Sequence, residues 1–226
     1  MKKLTLYHGS KKIISAPDVA FSASYNDYGS GFYCTRDEDM AGQWAVNRGS
    51  PGFINKYEID AMALTVLDFN SDDKYTVLHM LAALFKYRKF KISSAHVVRF
   101  MDYLEKHFST DVEKYDIVVG TRCDDSYLSF VKAFMLGQIS VKQLRYLLSP
   151  GISGEEFVIK TPRAYEKLEF VSFYRADDAI YYPRRMIRDL NARAGFYAES
   201  DIGDDGGLYV ADLLREEVKP DDERIR

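Results

Sequence analysis

Tyr115-Asp116-Ile117-Val118-Val119-Gly120 is the stretch on which the fold turns. It is continuous, β-branched and closed by glycine, so it predicts a buried strand. Downstream, Asp124-Asp125-Ser126 caps a helix with Tyr127, Val131, Phe134 and Met135 on one face, and Gly137 ends it. Ser140 starts another helix, which Ser149-Pro150-Gly151 stops. Glu155 to Lys160 reads as a strand, Pro162 to Leu168 as a helical turn, and Glu169 to Tyr174 as a strand. Upstream lie two helices, one through Val77, Leu78, Leu81, Leu84 and Phe85, capped by Asp72 or Asp73. The other runs through Val97, Phe100, Met101, Leu104 and Phe108. Four cations in Lys86 to Lys91 read as a solvated helix end. Strands and helices alternate irregularly with unequal connections. That predicts α+β with a split mixed or antiparallel sheet, not a doubly wound one.

The N-terminal part supplies more strands, at Leu4–Tyr7, Gly31–Thr35 and Phe53–Ile59. Between the second and third comes a helix capped by Thr35 or Asp37, with acidic residues in its first turn. Residues 1–175 are expected to form one domain, with 64–110 as a mainly helical insertion. Residues 176–226 read as a C-terminal helical extension. Its arginines, Arg184, Arg185, Arg188 and Arg193, read as a solvated face, and the charged tail from Val218 as frayed.

Composition narrows the function. The 226 residues carry 31 Lys plus Arg against 34 Asp plus Glu, a net charge of −3, so a broad nucleic-acid coat is disfavoured. Hydrophobic residues at 46% fit a packed chain, and no stretch has membrane-span length. Two cysteines make neither a disulfide framework nor a four-thiolate zinc site, which favours a reduced, cytoplasmic setting. There is no P-loop, dinucleotide glycine fingerprint, His-Glu-x-x-His or Gly-x-Ser-x-Gly. Of four histidines, His79, His96 and His107 read as helix-surface or boundary residues, while His8 ends a strand before Gly9.

The remaining signal is an ordered series. Tyr7-His8-Gly9-Ser10 precedes Tyr28-Gly29-Ser30-Gly31-Phe32-Tyr33, and Trp44, the sole tryptophan, follows Tyr33 by eleven residues. Gly154-Glu155-Glu156-Phe157-Val158-Ile159 opens a late strand with carboxylates. In this series the chain resembles the ADP-ribosyltransferase superfamily. The likeness is to the His-Tyr-Glu branch that includes the poly(ADP-ribose) polymerases and diphtheria toxin, and more closely to an uncharacterised bacterial family of that superfamily.

The resemblance implies an ADP-ribosyltransferase-like fold, NAD as substrate and no metal. It implies His8, Tyr33 and Glu156 as catalytic residues, and Gly9, Ser10 and Trp44 as cofactor-binding. His8 would bond the adenosine ribose and Gly9 the carboxamide through its backbone. Ser10 would line the cofactor, and Tyr33 and Trp44 would stack on the nicotinamide. Glu156 would bind the nicotinamide ribose. The register of Phe157-Val158-Ile159 favours Glu156 as the triad carboxylate, with Glu155 the alternative. The polymerases place a serine where this chain has Ala41, and the Glu-x-Glu of arginine-directed enzymes is absent. Glu155, Asp124, Asp125 and Tyr127 are the acceptor-side candidates.

The expected activity is mono-ADP-ribosyl transfer to an unidentified protein or nucleic acid, as in a bacterial toxin held by an antitoxin partner or an antiphage effector, with no membrane. A secreted effector is a second setting. Alternatives are an NAD glycohydrolase, with water as acceptor, and a non-catalytic NAD- or protein-binding module. RNA 2′-phosphotransferases also use NAD on a related fold, but their arginine-rich phosphate site is not evident in the sequence.

Overall fold

A computed structural model describes residues 3–18, 23–88, 90, 94–123 and 125–226. In chain order come β1 (Leu4–Ser10), β2 (Phe32–Cys34), α1 (Glu38–Ala45), β3 (Gly52–Ile59) and β4 (Val66–Asp68). Then follow α2 (Val77–Tyr87), α3 (Ala95–Phe108), β5 (Ile117–Thr121), α4 (Asp125–Met135), α5 (Val141–Leu147) and α6 (Pro150–Ser153). The chain closes with β6 (Glu155–Ile159), α7 (Pro162–Tyr165), β7 (Leu168–Ala176), α8 (Asp178–Ile202) and α9 (Val210–Glu216). The class is α+β, as the sequence predicts. Among the described residues no helix is long and apolar enough to cross a membrane.

The strands form two sheets. One has the order β1-β3-β7 and is antiparallel; the other has the order β2-β6-β5-β4, with only the β4–β5 pair parallel. All five residues of β5 are buried. Strand alternation assigns its two faces to different cores. Val118 packs with Val158 against the apolar sides of α2 to α5. Ile117 and Val119 join Leu6, Phe32, Tyr57 and Phe157 between the sheets. Several buried tyrosines keep an apolar body in the core and anchor a loop by the hydroxyl. Tyr28 donates to the Thr121 carbonyl at 2.9 Å and Tyr127 to the Ile152 carbonyl at 2.8 Å.

Two expectations are corrected. The tail is packed: Val218 and Ile225 are buried in the helical core, and Tyr103 donates to the Val218 carbonyl at 2.6 Å. Two apolar side chains among the charges suffice to dock it. Ser149-Pro150-Gly151 follows the end of α5 as expected, and Pro150 also opens α6, where its fixed φ suits a first helical turn. The α2 cap is Thr76, not Asp72 or Asp73, because His79 reaches back to complete a capping box.

That box places a histidine where its charge matters. The Thr76 N–H donates to His79 Nδ1 at 3.0 Å, so Nδ1 must carry a lone pair. His79 is buried, not a surface residue, and burial pushes its pKa down to about 4 from 6.5, with Lys74 and Arg226 adding to the effect. The unfolded chain therefore takes up this proton first. His79 stability is fully present above pH about 6.5 and is lost as pH falls towards about 4, by an amount on the order of 2 kcal/mol. His79→Gln keeps an acceptor at the same cap without a titration, so urea denaturation across this range should show a flatter pH profile. An unchanged slope would count against the cap.

Candidate functional site

The two sheets meet where Tyr7 N–H donates to the Thr35 carbonyl at 2.7 Å and Thr35 N–H to the Tyr7 carbonyl at 2.9 Å. A continued antiparallel ladder would next pair Gly9 with Tyr33. It does not continue, because His8 Nδ1 takes the Tyr33 carbonyl at 2.6 Å. The imidazole lies against the Phe32 ring at 4.4 Å between centroids. In this bond Nδ1 carries the proton, and Nε2 is left as an acceptor. Burial lowers the His8 pKa, which keeps the ring neutral. By strand alternation the Gly9 N–H and C=O point the same way as those of Tyr7, into the gap where the sheets part.

The gap widens into a cavity of about 1020 Å³ bordered by His8, Gly9, Tyr33, Trp44 and Glu156. Glu156 is buried on β6 opposite Gly120. Tyr33 pairs with Val158 two residues on, so Tyr33 and Glu156 share one sheet face. Burial, then the Glu156 charge, raise the Tyr33 pKa. The Tyr33 hydroxyl donates to the Gly29 carbonyl at 2.7 Å and accepts from Tyr28 N–H at 3.0 Å. Glu155 is on the other face, where Asn70 Nδ2 donates to its carboxylate at 3.2 Å.

Helix α1 begins at Asp37, whose carboxylate caps Met40 N–H at 3.1 Å, and carries Trp44 to the cavity. The helix lies so close to β1 that a Cβ on Gly9 would sit 1.9 Å from the Ala41 carbonyl oxygen. Glycine at position 9 is thus required by α1 itself. The Arg122 guanidinium covers the Trp44 ring, 4.2 Å from its centroid. The indole N–H is buried and lacks a hydrogen-bond acceptor among the described residues.

Sequence reasoning missed the charged wall. Arg88 is not part of a solvated end: it pairs through Nε with buried Asp27 and donates to the Cys123 carbonyl at 2.7 Å. The second Asp27 oxygen accepts Cys123 N–H at 2.9 Å. Lys89 and Lys91 lie outside the described residues. Nor is the α8 ridge merely solvated. Arg184 faces outward to Asp39, but Arg185, Arg188 and Arg193 border the cavity with Arg122. Arg184 and Arg185 each lie about one turn from Arg188, so spacing along the helix does not tell the outward arginine from the inward pair.

Of the other candidates, Ser10 turns its hydroxyl to the Lys12 carbonyl and is not part of the wall. Tyr127 borders the cavity with its hydroxyl bonded to the Ile152 carbonyl. Asp124 lies outside the described residues, as does the side chain of Asp125. No group of three or more His, Cys, Asp or Glu among the described residues is disposed to hold a metal ion.

A family model described as a protein of unknown function, DUF3990, matches residues 4–170. The chain belongs to the DUF3990 family. The DUF3990 match takes in both sheets up to the early part of β7, together with His8, Tyr33, Trp44 and Glu156. Helix α8 lies beyond it. No curated protein and no solved structure matches this DUF3990 chain.

Proposed function

We propose that this protein cleaves the nicotinamide–ribose bond of NAD and transfers the ADP-ribose unit to a macromolecular acceptor. One arrangement carries the reading: His8, the Gly9 backbone, Tyr33, Trp44 and Glu156 border a single cavity. Its volume suits a dinucleotide-sized ligand. The Gly9 N–H and C=O offer the donor–acceptor pair that a carboxamide matches. Neutral His8 offers Nε2 to a ribose hydroxyl. The orphaned indole N–H of Trp44 also fits a bound acceptor atom, since such a group costs about 1–3 kcal/mol when left unpaired.

In the reaction the C–N bond breaks and its electron pair goes to nicotinamide, which leaves neutral. Positive charge then develops on the ribose as an oxocarbenium-like centre. A fixed carboxylate at Glu156 stabilises that charge more than it stabilises bound NAD. The acceptor attacks the same carbon and gives up its proton. Nicotinamide brings a cationic ring to Trp44 and takes the cation–π position that Arg122 fills in this structure. Arg122 must therefore move aside on binding.

Trp44 is the only tryptophan, so it reports its own site. Adding nicotinamide or NAD should change its fluorescence saturably, with the two ligands competing. No change and no competition would remove NAD from consideration. Mass spectrometry of proteins and nucleic acids after incubation with labelled NAD then separates transfer from hydrolysis, since hydrolysis leaves the label as free ADP-ribose.

A further inference from the structure

We propose that Arg185 and Arg188 of α8 form a subsite for the pyrophosphate of the dinucleotide, which rests on the NAD reading above. The motivation is a local excess of positive charge inside an acidic chain. Among the described residues, six cationic side chains border the cavity against four carboxylates, while the whole chain carries −3. A pyrophosphate diester carries two negative charges, which matches that excess.

The arginines are held on a packed helix. The Tyr181 ring of α8 lies so close to α1 that a Cβ on Gly42 would meet it at 2.3 Å. Further along, Ala192 is buried, and Phe196 stacks on Phe130 of α4 at 5.0 Å. Between these anchors, Arg185 donates to the Val46 carbonyl at 3.4 Å, just past α1, and Arg188 lies 2.7 Å from Met40 Sδ. Both guanidinium groups thus stand beside the helix that carries Trp44. Arg193, one helical stretch further on, is partly neutralised by Asp189 at 3.1 Å. From Arg185 to Arg193 the helix spans about 12 Å, so only the first pair is near the aromatic slot. Planar guanidinium groups suit phosphate oxygens.

A polynucleotide backbone fits less well. The outward side of α8 exposes Ile187, Leu190 and Tyr197, and its outward cation, Arg184, is paired with Asp39, so α8 offers no continuous basic track. Helix α8 lies beyond the family match, so this subsite is an addition to the part of the chain that holds His8 and Glu156.

The test uses the full chain and three probes: nicotinamide, ADP-ribose and a short single-stranded RNA. The Arg185→Gln/Arg188→Gln variant should bind ADP-ribose at least tenfold more weakly. It should keep its nicotinamide affinity, read through Trp44, which also shows that the site is folded. Arg184→Gln, which loses the outward pair with Asp39 and a contact over the Tyr181 ring, should bind ADP-ribose as the wild type does. Unchanged ADP-ribose affinity in the double variant, or an equal loss in Arg184→Gln, overturns the subsite and leaves the NAD reading standing. Loss of RNA binding with ADP-ribose binding retained also overturns it. If the wild type binds neither nicotinamide nor ADP-ribose, both proposals fall. If it binds ADP-ribose through these arginines but not nicotinamide, the subsite stands and NAD cleavage does not.

Discussion

Glu156→Gln should slow nicotinamide release by about 100- to 1,000-fold while changing NAD affinity little. The amide keeps the shape and a hydrogen bond to a ribose hydroxyl but loses the charge. In bound NAD the positive charge sits on the nicotinamide ring; only in the transition state does it reach the ribose. The carboxylate therefore acts mainly on the rate. Strand alternation makes the neighbouring residue a control. Glu155 is turned to Asn70 on the other face of the sheet, so Glu155→Gln should leave nicotinamide release near the wild-type rate. Chromatographic assay of released nicotinamide, with NAD affinity measured separately, decides the matter. Full turnover in Glu156→Gln together with its loss in Glu155→Gln would move the catalytic carboxylate by one residue. Insensitivity to both would leave a binding module.

Arg88→Met should cost about 3–5 kcal/mol of stability, because it strands a buried carboxylate. Asp27 is 4% exposed, and Arg88 ties it to the Cys123 backbone. The segment that carries Asp27 also holds Tyr28 and Gly29, the two backbone partners of the Tyr33 hydroxyl. The lesion should therefore reach the site as well as the fold. Asp27→Asn in the Arg88→Met background removes the stranded charge and should recover part of the loss. Urea denaturation of both variants measures this. A single variant as stable as the wild type would show that the pair contributes nothing.

The strands were legible because β-branched runs and alternation survive in short windows: the buried strand at Tyr115–Gly120 appears as β5, displaced by one or two residues. The Glu156 face was legible too, since Phe157-Val158-Ile159 fixes which neighbours point inward. Arg88 was not, because a run of cations on a helix end has the same pattern whether it meets water or a buried aspartate 61 residues away. The α8 arginines and the docked tail share that origin. Both depend on what packs beside them, which periodicity within one element cannot report. The Gly9 result differs again: its importance was visible, but the partner that demands glycine is the Ala41 carbonyl of the chain's own helix.

If NAD binds as proposed, the parting of the two sheets beyond Tyr7 and Thr35 sets stability and ligand binding in competition for one strand edge. Extending the ladder to Gly9 and Tyr33 would add two backbone hydrogen bonds, each contributing about 1 kcal/mol. It would also consume the Gly9 groups and seal the recess. The His8 imidazole prevents that by occupying the Tyr33 carbonyl first. A selection for thermal robustness alone would thus favour variants that zip this seam, and such variants would be sturdier proteins with no place for a ligand.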